Sequence, residues 1–208
     1  MSLAGLLPRR LREAVAGIPP NVRALSWVSL ANDLSSELAY PLVPLFLTVT
    51  LGAPVAAIGL IEGLAEGVSV GLRGIAGGLS DRHGGRRIRW VLAGYGATAA
   101  SRPLLALAPG WGAVLAARLL DRTGKALRSA PRDALLRDSA DEGRLGAAFG
   151  FHRMMDTAGA VVGPLAAVGL LALGLSLRHA LLFTAVPALA TLVLVRRVRD
   201  VPPKPRPP

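Results

Sequence analysis

Six apolar stretches of roughly 20 residues run through this chain, separated by short breaks rich in glycine, proline or charge. A helix of about 20 residues rises about 30 Å, enough to cross the hydrocarbon core of a bilayer. The pattern predicts helices over residues 25–50, 55–80, 89–108, 111–130, 146–173 and 178–196. Residues 1–24 carry Arg9, Arg10, Arg12 and Arg23 around short apolar pieces, with Pro19-Pro20 as a breaker. Leu6, Leu7, Leu11 and Val15 share one helical face there, which reads as an interfacial segment. Residues 197–208 are proline-rich and cannot continue a helix. The expected organisation is an N-terminal segment 1–24, a bundle 25–196 and a tail 197–208.

Composition strengthens the membrane reading. Hydrophobic residues make up 52% of 208 positions and charged residues 18%, against about 25% charged in soluble domains. The formal net charge of +11 would suggest nucleic acid in a soluble chain. Here the charge follows topology instead. Arg82, Arg86, Arg87 and Arg89, then Arg132, Arg137 and Arg144, then Arg196, Arg197, Arg199, Lys204 and Arg206 fall on alternate breaks and the tail. The opposite breaks offer only Arg178. Positive charge stays inside, so both termini are expected in the cytoplasm and the protein in the cytoplasmic (inner) membrane. With no cysteine there is no disulfide or thiolate metal site, and neither metal nor cofactor is expected.

Ionisable side chains within membrane spans are costly and mark function by default. Asp33 and Glu37 are four apart on the first helix; Glu62, Glu66 and Arg73 share a face of the second. The fourth carries Arg118, Asp121, Arg122, Lys125 and Arg128, and the fifth His152, Arg153 and Asp156. The third has only Arg102 and the sixth none between Ala180 and Val195. Helices 1, 2, 4 and 5 are therefore expected to face protein or a water-filled cavity, and 3 and 6 to face lipid. Asp33, Glu37, Glu66, Arg118 and Asp156 are the candidates for substrate and proton coupling. Gly63, Gly67, Gly71, Gly74 and Gly78 form a ladder on the second helix, and Gly159 and Gly163, followed by Pro164, repeat the spacing on the fifth. Small residues four apart let helices approach closely.

Two apparent catalytic motifs fail on context. Gly67-Val68-Ser69-Val70-Gly71 has the nucleophile-elbow spacing but lies inside an apolar helix rather than a strand–turn–helix. Gly124-Lys125 lacks the upstream glycine and following hydroxyl of a phosphate loop. No enzyme activity is expected.

The turn Gly77-Gly78-Leu79-Ser80-Asp81-Arg82-His83-Gly84-Gly85-Arg86 resembles the signature loop between the second and third helices of the major facilitator superfamily of secondary transporters, with Gly85 where a basic residue is usual. Arg118 matches its membrane-embedded arginine, and Gly159-Ala160-Val161-Val162-Gly163-Pro164 resembles a fifth-helix motif of its antiporter branches. The run from Asp121 to Arg128, continuing through Pro131-Arg132-Asp133-Ala134-Leu135, is similar to a branch of mostly uncharacterised prokaryotic members. The resemblance implies an all-α membrane protein forming one six-helix half of a twelve-helix transporter, the N-terminal one. It implies proton- or ion-coupled movement of a small solute through a cavity between halves. The partners would be the bilayer, a small-molecule substrate, and a second copy or, for a fragment or split half, a C-terminal half; a non-transporting interaction subunit is the competing class. In a self-pair, helices 2 and 5 would meet. Gly77, Asp81, Arg82, Gly84, Arg86, Asp121 and Arg122 are the implied gating set, with Asp81 near Asp121 and directed at a helix N-terminus of the other half.

Overall fold

The computed structural model describes residues 17–82 and 86–204, leaving out the side chains of Asp81 and Arg82. Among the described residues the regular structure is all helical. Helices α1 (Pro20–Leu45), α2 (Val55–Arg82), α3 (Arg87–Ala106), α4 (Trp111–Ser139), α5 (Leu145–Ala172), α6 (Leu177–Phe183) and α7 (Ala185–Val195) follow in order. A π-helical turn, Phe46–Thr50, extends α1, and α6 and α7 together make one rod. Three stretches are long and apolar enough to cross a membrane: Val55–Ser80, Glu142–Ala172 and Leu177–Val195.

Three boundaries differ from the sequence pattern for identifiable reasons. The α1 helix begins at Pro20, five residues early, because proline at the first helical position loses no hydrogen bond. The fourth helix runs nine residues past the expected 130, since Leu135, Leu136 and Ala140 bury against Val22, Leu25, Val91 and Tyr95. The sixth rod breaks at Thr184, where Pro187, four residues after Phe183, lacks the amide to meet the Phe183 carbonyl. Ser35 on α1 donates to the Thr184 carbonyl across that break at 2.8 Å.

The packing sandwiches a polar belt between two apolar cores. One core gathers Leu42, Phe46, Ile61, Leu105, Val114 and Leu181 at one end of the rods. The other gathers Val22, Leu25, Val91, Tyr95, Leu135 and Val195 at the opposite end. Between them lie buried Ser29, Asn32, Thr98, Ser101, Arg102, Arg118, Asp121, Arg128, His152 and Asp156. Asn21 bonds Ser139 and Arg199, which ties the start of α1 and the end of α4 to the chain after α7. Residues 21 and 199 thus share one end of the bundle. The tail as far as Lys204 folds across that end, where Lys204 reaches the Ala140 carbonyl. Residues 1–16, including the expected interfacial helix, lie outside the described residues.

Glycines decide two of the seams. A Cβ on Gly159 would sit 2.7 Å from the Leu30 carbonyl oxygen, and one on Gly163 2.8 Å from the Glu37 Cβ. A Cβ on Gly124 would stand 2.5 Å from the Gly94 carbonyl oxygen. The α1–α5 and α3–α4 pairs therefore approach backbone to backbone. Gly63, Gly67 and Gly71 meet nothing within 4 Å. Gly159 and Gly163 are thus spent inside the chain, against α1, and do not supply a contact between copies as the sequence pattern suggested.

Candidate functional site

The belt contains two charged groups on different sides of α4. The first joins α2, α3 and α4. Arg118 grips Glu62 with both arms of its guanidinium, Nε to Oε1 at 2.9 Å and Nη2 to Oε2 at 2.6 Å. Its Nη1 also lies 3.5 Å from Asp121. Asp121 accepts from Arg102 at 3.0 Å, and Arg102, 1% exposed, reaches Ser36 on α1 at 2.9 Å. Arg122 makes only long approaches, 3.8 Å to Glu62 and 3.6 Å to Glu66. Nearby Arg128 bonds Thr98 at 2.7 Å and stacks over Tyr95 at 4.8 Å. Each bidentate or doubly bonded arginine is the arrangement a low-dielectric site needs to hold a charge.

The second group lines the α1–α5 seam. His152 approaches Ser26 at 3.4 Å and Asp156 at 3.7 Å, and Arg153 lies 3.9 Å from Asp156. Asn32 donates to Asp33 at 3.0 Å. Asp33 and Asp156 repel each other across the seam, and Arg132 and then Arg128 offset the Asp33 charge. Arg132 itself bonds Ser29 at 3.1 Å and its neighbour Asp133. Among the described residues the Glu37 carboxylate has no hydrogen bond or ion pair.

These positions revise the pairing read from sequence. Arg118 is committed to Glu62 and Asp121 rather than to Asp33 or Glu37, because α4 turns that face to α2. Asp121 does not stand beside the loop with Asp81. Gly77 is level with Ala130, whose Cβ lies 3.2 Å from a Cβ built there. Asp121, nine residues earlier, is therefore about 13 Å further into the bundle. Of the loop set, Arg86 is exposed ahead of α3 and Gly77 faces α4. Gly84 and the side chains of Asp81 and Arg82 lie outside the described residues. Pro164 is half-buried beside Gly163. Glu62 and Arg102 were not among the candidate residues. Arg102 on the third helix, expected to face lipid, is instead a fully buried link of the network. Glu62 could have been found by counting, since Glu62/Glu66 and Arg118/Arg122 have the same spacing on helices of the same direction.

At the end of the bundle where α1 begins, Asp138 receives hydrogen bonds from Arg87 and Arg137. Burial alone would raise the Asp138 carboxyl, but those two guanidiniums outweigh it and hold it below the ordinary carboxylate range.

A model of the Major Facilitator Superfamily matches residues 25–208. An uncharacterised MFS-type transporter of Methanocaldococcus jannaschii is 36% identical over 183 residues, covering 88% of this chain and 45% of that protein. An uncharacterised protein of Mycobacterium tuberculosis is 35% identical over 161 residues, 76% of this chain and 39% of that one. Among solved structures, a peptide transporter POT in complex with sulfate matches with a TM-score of 0.69 at 21% identity, over 89% of this chain and 40% of that one. The human organic anion transporter TETRAN matches with a TM-score of 0.71 at 18% identity, over 87% and 47%. The chain spans less than half the length of each of these proteins.

Proposed function

This chain belongs to the major facilitator superfamily, and from that premise we propose that it forms one six-helix half of a secondary transporter for a small solute. The rods α1 to α5 and the α6–α7 rod each cross the cytoplasmic membrane, with residues 21 and 199 on the cytoplasmic side. The basic residues of that end support this orientation. The second half is either another copy or a C-terminal half, and the length of the relatives favours the latter.

One observation carries the transport reading. Asp33, Glu37 and Asp156 border a single seam in the middle of the bundle, and among the described residues none has a close ion pair; the nearest approaches are His152 at 3.7 Å and Arg153 at 3.9 Å, both to Asp156. Three such carboxylates in hydrocarbon cost several kcal/mol unless water or protons reach them. A cavity along α1 and α5 supplies both. In this reading Asp33 and Asp156 take up and release the coupling proton, Glu37 contacts the solute, and Arg118 holds α2 to α4 through Glu62. Gradient-driven uptake of a panel of labelled small organic solutes into proteoliposomes tests it. The double substitution Asp33→Asn, Asp156→Asn abolishes accumulation against a gradient while the protein still purifies as a monodisperse particle. Undiminished pH-dependent uptake in that variant overturns the assignment. The same particle's mass distinguishes a self-pair from a half without its C-terminal counterpart.

A further inference from the structure

Helices α2 and α4 run in the same direction and present one spacing to each other. Glu62, Glu66, Ser69 and Arg73 stand at intervals of four, three and four; Arg118, Arg122, Lys125 and Ser129 repeat those intervals on α4. Residues at such intervals share a helix face. The first two rungs are filled by opposite charges, Glu62 with Arg118 at 2.6 Å and Glu66 with Arg122 at 3.6 Å. The next two rungs contain no acid. By the same interval Ser69 and Arg73 come next on α2, and Lys125 and Ser129 on α4. The helices stay in contact further on, where Gly77 meets Ala130 in a register shifted by three residues.

The side chains on these rungs are short of partners. Ser69 is fully buried and its hydroxyl has no hydrogen-bond partner. The Arg122 Nε is buried and makes no hydrogen bond, since its approach to Glu66 is the long one of 3.6 Å. Among the described residues neither Lys125 nor Arg73 has an ion pair or hydrogen bond. Lys125 is instead surrounded by the positive charges of Arg122, Arg128 and Arg73, against Glu66 alone. Ser129 donates to the Lys125 carbonyl at 2.6 Å, leaving its oxygen as an acceptor only. A buried hydroxyl left unbonded has given up its hydrogen bonds to water with nothing in return. Repelling cations in the same place add to that cost.

We infer that the Ser69–Arg73/Lys125–Ser129 section of the α2–α4 seam is an anion site. It would take a carboxylate or phosphate oxyanion in place of the missing acidic rungs. Lys125 and Arg73 supply charge, Ser69 supplies a directed donor, and the ion pairs above, with the Arg122 Nε turned to Glu66, close the site. Such an oxyanion comes either from a soluble molecule or from an anionic lipid headgroup at the open side of α2. Binding here does not depend on transport.

Binding to the purified chain tests the inference at constant ionic strength, read by intrinsic tryptophan fluorescence and thermal unfolding. One arm titrates inorganic phosphate and citrate in neutral detergent. The other compares nanodiscs of phosphatidylcholine with nanodiscs containing phosphatidylglycerol. A saturable response is expected in at least one arm: the first identifies a soluble anion, the second a lipid headgroup. Lys125→Gln and Arg73→Gln should each weaken it about tenfold or more, as loss of one charge-assisted contact does. Ser69→Ala should weaken it less, and Lys125→Arg should restore it. Arg89→Gln, an exposed arginine away from the seam, should leave it unchanged. Arg73 is exposed, so its variant reads the site even where Lys125→Gln does not fold. No saturable response in either arm overturns the site, as does a loss of equal size in Arg89→Gln.

Discussion

The α1–α5 seam and the outer face of α2 carry the same sequence pattern, glycine every fourth residue, and use it in opposite ways. On α5, Gly159 and Gly163 let the backbone of α1 come so near that no side chain fits between them. On α2, Gly63, Gly67 and Gly71 look onto open space, and on its other side α2 adds the charges of Glu62 and Glu66 to the apolar contacts of Ala57 and Ile61. One seam is a packing contact, the other partly an electrostatic one. Small residues four apart therefore announce that something can come close, without saying whether it belongs to the same chain.

The largest expected effect follows from the closed seam. Gly163→Leu puts a branched side chain into the backbone of Glu37 and Leu38, and should cost about 3 kcal/mol or more. The purified protein would melt far lower or fail to fold, whereas Gly67→Leu should shift its own melting by no more than about 0.5 kcal/mol. Equal losses in the two variants would erase the distinction between the seams.

Arg118→Gln comes next. It leaves Glu62 and Asp121 without their shared cation, a loss of about 3 kcal/mol for a buried pair. Hydrogen exchange should rise along α2 while the amides of α1 and α5 stay protected. Exchange that rises uniformly would mean that α2 is held by packing alone. Gly67→Leu has a third, smaller readout. If the open face receives a second half, that variant should lower the mass of the detergent particle or its capacity to bind the missing half, with melting unchanged.

The smallest effect lies at the bundle end common to both regions. The Asp138 carboxyl is held low in the folded protein, so its contribution is complete above the unfolded carboxylate value, about pH 3.9, and fades as pH falls through the lower folded one. Arg87→Gln removes a strong partner and should narrow the stability difference between neutral pH and about pH 2 by on the order of 1 kcal/mol. An unchanged pH profile would show that Arg137 suffices.

Helices and charged residue types were legible from sequence because hydropathy and charge are local properties. Span ends were legible to within a few residues, except where distant packing extends a helix, as Leu135 and Leu136 do for α4. The pairings were less legible. That Arg118 meets Glu62 and Arg102 meets Asp121 depends on how far one helix is shifted along another, which no single helix records. The repeated interval in 62–66–69–73 and 118–122–125–129 did hold that information, for helices known to be parallel neighbours. The gating role of Asp81 rests on the signature loop alone, since its surroundings are not described.

The glycine strip on α2 also has a mechanical consequence. Helices normally lock by fitting the ridges of one into the grooves of the other, so sliding means lifting each ridge out. Gly63, Gly67 and Gly71 remove the ridges along one line, with Leu60, Leu64 and Val70 standing exposed as rails beside it. A helix lying in that track can travel a short way along it without climbing over anything. The strip has the form of a bearing, and the ion pairs behind it, Glu62–Arg118 and Glu66–Arg122, help to keep the shaft in its housing.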